Sequence, residues 1–148
     1  MTAALNWGYE EYEMTIRQLD DTTYIAGQIQ PDEIAALAPM GVTLIVNNRP
    51  DGEEPNQPLG AEIEEAASAA GIDYRSVPII RGIGPADADA IGEAIASAKG
   101  KTLLFCRSGN RSALAWAVSQ SERGVARQEI EAKLVGVGID PTPIAHLL

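Results

Sequence analysis

The sequence predicts an α/β fold, a single domain over residues 1–148 in which a mainly parallel central sheet is flanked by helices in three layers. Three observations predict it. Short apolar or β-branched runs (Val42 to Val46, Tyr74 to Ile79, Thr102 to Phe105) alternate with stretches of helical period, the pattern of βαβ units. One of those runs ends at the chain's only cysteine, Cys106, and passes straight into a polar loop and another helical stretch. The chain's 148 residues, 45% hydrophobic, suffice to bury one sizeable core.

Residues 1–14 carry Trp7, Tyr9 and Tyr12 among acids without a clear period, and are expected to form a strap over the core. Ile16 to Leu19 and Thr22 to Ala26 flank Asp20-Asp21 and read as a small hairpin. Pro31 opens a helix, with Asp32 and Glu33 suiting the positive end of its dipole and Pro39 and Gly41 stopping it. Val42 to Val46 is a buried strand that runs into a polar loop over residues 47–58. The next helix, about Ala61 to Ala70, buries Ile63, Ala66, Ala67 and Ala70 and ends at Gly71. Tyr74 to Ile79 is a third strand, and Pro85 starts a helix through about Ala98. After the cysteine strand, Ser112 to Glu122 is helical with Leu114, Ala117, Val118 and Ser121 on one face. A helix near Arg127 to Val135 and a turn after Asp140-Pro141 complete the chain.

Composition narrows the function. A net charge of −10 argues against nucleic acid or an anionic membrane surface as partner. A single cysteine allows no intrachain disulfide, no thiolate zinc site and no dithiol cycle, which suits a reducing compartment. The start, Met1 to Trp7, lacks the basic and apolar regions of a secretory signal, and no apolar run has the ~20 residues of a membrane span. A cytoplasmic protein without a cofactor is expected. No metal-ligand spacing appears, and the one histidine, His146, reads as a surface residue rather than a base or ligand.

The segment Cys106-Arg107-Ser108-Gly109-Asn110-Arg111-Ser112 carries the chemistry. Strand, tight loop and helix in that order aim loop N–H groups and the helix's positive end at one point. With Arg107 and Arg111 nearby, that field favours thiolate over thiol, and the thiolate is the nucleophile. Cys106 therefore reads as an activated nucleophile facing a pocket for a small oxyanion, with Arg111 at the helix entrance as its main cationic partner. Arg107, Ser108, Gly109, Asn110 and Ser112 complete the anion-binding loop, although Ser112 is also a plausible N-cap and one arginine can equally point away. The alternative is a buried cysteine serving only as filler. Loops at strand carboxyl ends meet at one crevice in such sheets, so residues 47–58 should face the same site. Within them, Asn48, Arg49, Asp51, Glu53 and Gln57 are expected to line the rim or support it from behind. The rival is a plain turn at Arg49-Pro50-Asp51-Gly52. Arg49 either pairs with the carboxylates of its own loop or binds substrate.

Val46 to Glu54 with Gln57-Pro58, followed by Cys106 to Ser112, resembles a bacterial family. It is the phosphatase-like domain of beta-lactamase-hydrolase-like proteins, also labelled a sulfur transferase family. The likeness runs from about Arg17 to Val118. It implies a protein-tyrosine-phosphatase-like fold with Cys106 as nucleophile and residues 106–111 as anion loop. Some members are fused to a metallo-β-lactamase-type domain akin to persulfide dioxygenases, which implies sulfur handling.

Two reactions follow from the resemblance. In one, Cys106 takes a sulfane sulfur as a persulfide and passes it to a thiol acceptor. In the other, it attacks a phosphate monoester and forms a cysteinyl-phosphate. The phosphatases place arginine sixth after the cysteine; here that residue is Ser112, and Arg111 is fifth, as in the shorter loop of single-domain rhodaneses. Their general-acid aspartate has no match in Pro78 to Gly82, and Phe105 stands where they carry histidine. Asp87 and Asp89 are the remaining acid candidates, but Asp87 lies in a helix's first turn, where a carboxylate is favoured anyway. The absences favour sulfur transfer, with phosphate ester hydrolysis second. A non-catalytic anion or phosphoprotein binding module is third.

Overall fold

The computed structural model describes residues 15–148; the proposed strap over residues 1–14 lies outside them. Five strands form one sheet: β1 (Ile16–Asp20), β2 (Thr23–Ala26), β3 (Val42–Asn47), β4 (Asp73–Ser76) and β5 (Lys101–Phe105). Their order is β1-β2-β5-β3-β4, with β1 antiparallel to β2 and the other pairs parallel. The hairpin at Asp20-Asp21 is present, its turn closed by the Asp20 carboxylate accepting from the Thr22 amide at 2.9 Å.

Side chains alternate across a strand, and here both faces are apolar. Ile25, Leu104 and Val46 lie in one row of the register and pack beneath α2 (Pro85–Ser97), α3 (Asn110–Glu122) and α4 (Arg127–Gly136). Ala26, Ile45, Leu103 and Phe105 face the other way, onto α1 (Gly60–Ala69) and a 3-10 helix at Pro31–Met40. Two cores on either side of a mostly parallel sheet give the three layers expected. A fully buried side chain such as Phe105, Ile25 or Leu104 contributes about 1.5–3 kcal/mol.

Three elements differ from the sequence reading. The helix opened by Pro31 is wound as a 3-10 helix, in keeping with Pro39, which has no N–H for an α-type bond and crowds the preceding turn. The third strand stops at Ser76, although Val77 and Ile79 still donate backbone bonds to Asn47 and Asn48 at 2.9 and 3.0 Å. Helix α3 starts at Asn110 and is buried without a break from Ser112 to Ser119, so its apolar stripe is really a full circumference. The cause is position: α3 is covered by the sheet, α2, α4 and a C-terminal 3-10 helix at Thr142–Leu147. Among the described residues no helix is long and apolar enough to cross a membrane.

Candidate active site

Strand β5 is central, so the loop after it opens between the ends of β2 and β3. The Cys106 amide donates to the Ala26 carbonyl at 3.2 Å, and the Asn48 amide to the Phe105 carbonyl at 2.9 Å. Both polar loops thus meet at one crevice, as their positions at strand carboxyl ends require.

The loop's carbonyls are drawn backward. The Gln28 amide donates to the Arg107 carbonyl at 3.2 Å, and Arg17 Nη2 to the Ser108 carbonyl at 3.1 Å. In a trans peptide the N–H points opposite to the C=O, so the amides of Ser108 and Gly109 are turned to the other side. The Gly109 amide reaches Cys106 Sγ at 3.1 Å, the one loop amide that contacts the sulfur directly. Gly109 has φ 95°, a left-handed conformation that favours glycine, and a Cβ there would come within 2.8 Å of Arg17 Nη2, displacing the guanidinium that holds the Ser108 carbonyl. Cys106 itself is 1% exposed, at the base of the loop and the mouth of α3.

Arg111 lies in the first turn of α3. Its Nη1 donates to Glu53 Oε2 at 2.7 Å and to the Ile79 carbonyl at 2.8 Å, and its Nη2 to Glu53 Oε1 at 2.8 Å. Three of its five N–H groups are committed; Nε–H and one Nη2–H remain, the neighbouring pair that forms a second fork for an oxyanion. The bond to Glu53 raises the Arg111 pKa above the usual guanidinium value, and the nearby sulfur of Cys106 adds to the effect. In turn the Arg111 bond, helped by Arg49, holds the Glu53 carboxyl down at about 2.

Arg49 is a buried tie rather than a rim group. Its side chain is 2% exposed, and it donates to Glu53 Oε1 at 2.7 Å, to Gln28 Oε1 at 2.9 Å and to Glu54. Of the two roles left open, pairing with its own loop's carboxylates is the one it has. Asn48 is fully buried, donating to the Val77 carbonyl at 2.9 Å and accepting from Ser112 Oγ at 2.8 Å. Ser112 is therefore not the N-cap; Gly109 occupies that position, and Ser112 ties the helix to β3.

Other expected site residues turn elsewhere. Arg107 has a 68% exposed side chain and pairs with Glu54 at 3.4 Å. Ser108 and Asn110 are exposed, the Ser108 hydroxyl accepting from the Asn110 amide at 3.3 Å. Asp51 accepts from the amide of Gly60, the first residue of α1, at 2.7 Å, and Gln57 donates to the Pro50 carbonyl at 2.8 Å within its own loop. These two belong to the turn reading. Asp87 accepts from the Gly84 amide at 2.9 Å, a helix-start role, and Asp89 is exposed. Sequence reasoning missed Arg17, which braces the loop from β1 and also donates to the Val137 carbonyl at 2.7 Å. It also missed that His146, exposed as expected, lines the same groove as Arg111.

A family model described as "Beta-lactamase hydrolase-like protein, phosphatase-like domain" matches residues 15–123. A beta-lactamase hydrolase-like protein of Xylella fastidiosa is 40% identical over 121 residues, 80% of this chain and 28% of that protein. The chain thus spans little more than a quarter of that curated relative's length. Among solved structures, a "putative phosphatase" from Neisseria meningitidis superposes with a TM-score of 0.79 at 29% identity, covering 90% of this chain and 96% of that one. A Pseudomonas aeruginosa TpbA variant in complex with pTyr superposes with a TM-score of 0.64 at 18% identity, covering 97% and 85%. The last likeness is one of fold, and the fold is protein-tyrosine-phosphatase-like.

Proposed function

The chain belongs to the phosphatase-like domain family of beta-lactamase hydrolase-like proteins, and on that premise we propose that it is a cysteine-dependent phosphomonoester hydrolase. The observation that carries the reading is the unused fork of Arg111 beside a cysteine sulfur at the mouth of a buried helix. A phosphate seated there accepts from the two free N–H groups of Arg111 and from the forward-facing amides of the loop. The Cys106 thiolate then attacks phosphorus. An S–P bond forms as the P–O bond of the ester breaks, and charge gathering on the equatorial oxygens meets donors already in place. Water hydrolyses the cysteinyl-phosphate and returns the thiolate. The substrate is a small phosphate ester, and no thiol acceptor is required.

Sulfur transfer, which the short loop and the missing aspartate favoured, takes second place. A family described by a phosphatase-like domain, and a 29% identical structural relative of that name, weigh more than the spacing of one arginine. The test pairs the two chemistries. The native protein and a Cys106→Ser variant are each given 4-nitrophenyl phosphate, and separately thiosulfate, followed by phosphate release and intact mass. Phosphate release that disappears in Cys106→Ser is the expected result. Gain of one sulfur atom on the native protein, without phosphate release, would overturn the proposal in favour of persulfide chemistry.

A further inference from the structure

A groove of about 470 Å³ opens beside Arg111, and nothing in the phosphatase reading so far uses it. One wall is the segment after β4, including Ile79 and Ile83, and the floor is Leu114, one helical turn beyond Arg111. The opposite wall is the C-terminal 3-10 helix, with Ile144 buried in the core and His146 at the surface. Ile80 stands at the groove 75% exposed, an unusual position for a large apolar side chain with no partner. Of the side chains that line it, only Arg111 and His146 are polar, and none is acidic.

Arg111 belongs both to the anion site and to this groove, so the groove is the apolar space next to a phosphate held by Arg111. Alkoxide and unactivated phenoxide are poor leaving groups unless a proton arrives as the P–O bond breaks, an effect worth about 10²–10⁴ in rate. No carboxylate lines the groove. Glu53 is held ionised by two arginines, and Asp87 closes the start of α2. Imidazole is the side chain suited to give and take back a proton near neutral pH. We infer that the groove is the leaving-group subsite of the Cys106 centre, that it takes an apolar ester group, and that His146 is its proton donor. In the first step the imidazolium N–H passes its proton to the ester oxygen while Cys106 Sγ bonds to phosphorus, releasing a neutral alcohol or phenol. In the second, the neutral imidazole takes a proton from the water that displaces Cys106, and the charge state of each group is restored. Residues 142–147 lie beyond the span of the family match, so this donor belongs to the part of the chain that the family description does not cover.

The inference rests on the phosphatase reading, and a leaving-group series separates the two. Native protein and His146→Gln are compared on 4-nitrophenyl phosphate, whose phenolate departs without help, and on phenyl phosphate, whose phenolate is far more basic. The expected result is a fall in kcat/KM about 10²-fold or more larger on the second ester than on the first, with added imidazole restoring part of the loss in His146→Ala. A parallel fall on both esters, or no fall on either, would overturn the role of His146 while leaving the Cys106 chemistry intact. Loss of Cys106 dependence on 4-nitrophenyl phosphate would instead remove the parent reading and this inference with it.

Discussion

Substituting Glu53 by glutamine keeps the shape of the side chain and removes the charge that two arginines share. In the native protein Glu53 receives three charge-assisted bonds, at 2.7 and 2.8 Å from Arg111 and 2.7 Å from Arg49. Glutamine offers one acceptor oxygen in place of two, so at least one of these bonds, each contributing about 1.5–3 kcal/mol, is lost and the others lose their charge partner, for a sum of roughly 3 kcal/mol. Solvent reaches both Glu53 and Arg111, with side chains 29% and 26% exposed, which brings the expected loss down to about 2 kcal/mol. Arg49 carries most of the cost, since its 2% exposed guanidinium keeps only Glu54 as an ionic partner. At about 2–4 °C per kcal/mol for a domain of this size, the melting temperature should fall by about 4–8 °C. The sign with pH is fixed as well. Folding lowers the Glu53 pKa from 4.5 to about 2, so its contribution is complete above pH 4.5 and fades as pH falls toward 2. Urea unfolding of native and Glu53→Gln proteins at pH 7, 5 and 3 tests both parts. The gap should be widest at pH 7 and 5 and should narrow at pH 3. A gap below about 0.5 kcal/mol at pH 7, or one that widens in acid, would refute the reasoning.

Two other substitutions probe the loop and its support. Gly109→Ala puts a Cβ at φ 95° and within 2.8 Å of Arg17 Nη2, so it should cost about 1–3 kcal/mol in urea unfolding and depress Cys106-dependent turnover by displacing the Gly109 amide. Asn48→Leu strands the Ser112 hydroxyl and the Val77 carbonyl in a buried setting, for a loss of about 2–4 kcal/mol. Adding Ser112→Ala to it should cost less than the two single losses combined, and strict additivity in that cycle would deny the contact.

The layers of this fold are written in periodicity, because both faces of the sheet are apolar and the α-helices between strands repeat at 3.6. What periodicity cannot carry is how many neighbours a helix has. Leu114, Ala117 and Val118 read as a stripe, yet Ala113, Ala115 and Trp116 are as deeply buried, because α3 is covered on all sides by elements distant in sequence. Edge position is equally invisible: Tyr74 to Ile79 has strand composition, but the regular ladder ends at Ser76, and among the described strands β4 pairs with β3 alone. At the crevice, the placement of the cysteine and glycine in the loop and of the arginine at the helix entrance is legible from strand-loop-helix order alone. The braces were not. Arg17 lies 91 residues from the Ser108 carbonyl it holds, and an arginine in a short hairpin strand has no local pattern that marks it. Asp51 and Gln57 mark the opposite error, since polar residues in a proline-rich turn satisfy their own backbone before they serve a crevice.

The spacing of Arg111 is where sequence reasoning carried too much. Five residues after the cysteine instead of six means a shorter loop, which counts fewer amides and by itself points to sulfur chemistry. In the folded chain the direction of that guanidinium is set by something the loop does not contain. Glu53, from the loop after β3, and the Ile79 carbonyl, from the segment after β4, take three of its donors and leave a fixed pair free. Arg49, buried behind Glu53 and tied to Gln28, stops the carboxylate from turning. A guanidinium positioned from outside can face an oxyanion whether the loop beneath it is one residue longer or shorter. Loop length therefore fixes how many amides help, and the arginine's partners fix whether it helps at all; only the first of these can be counted along the sequence.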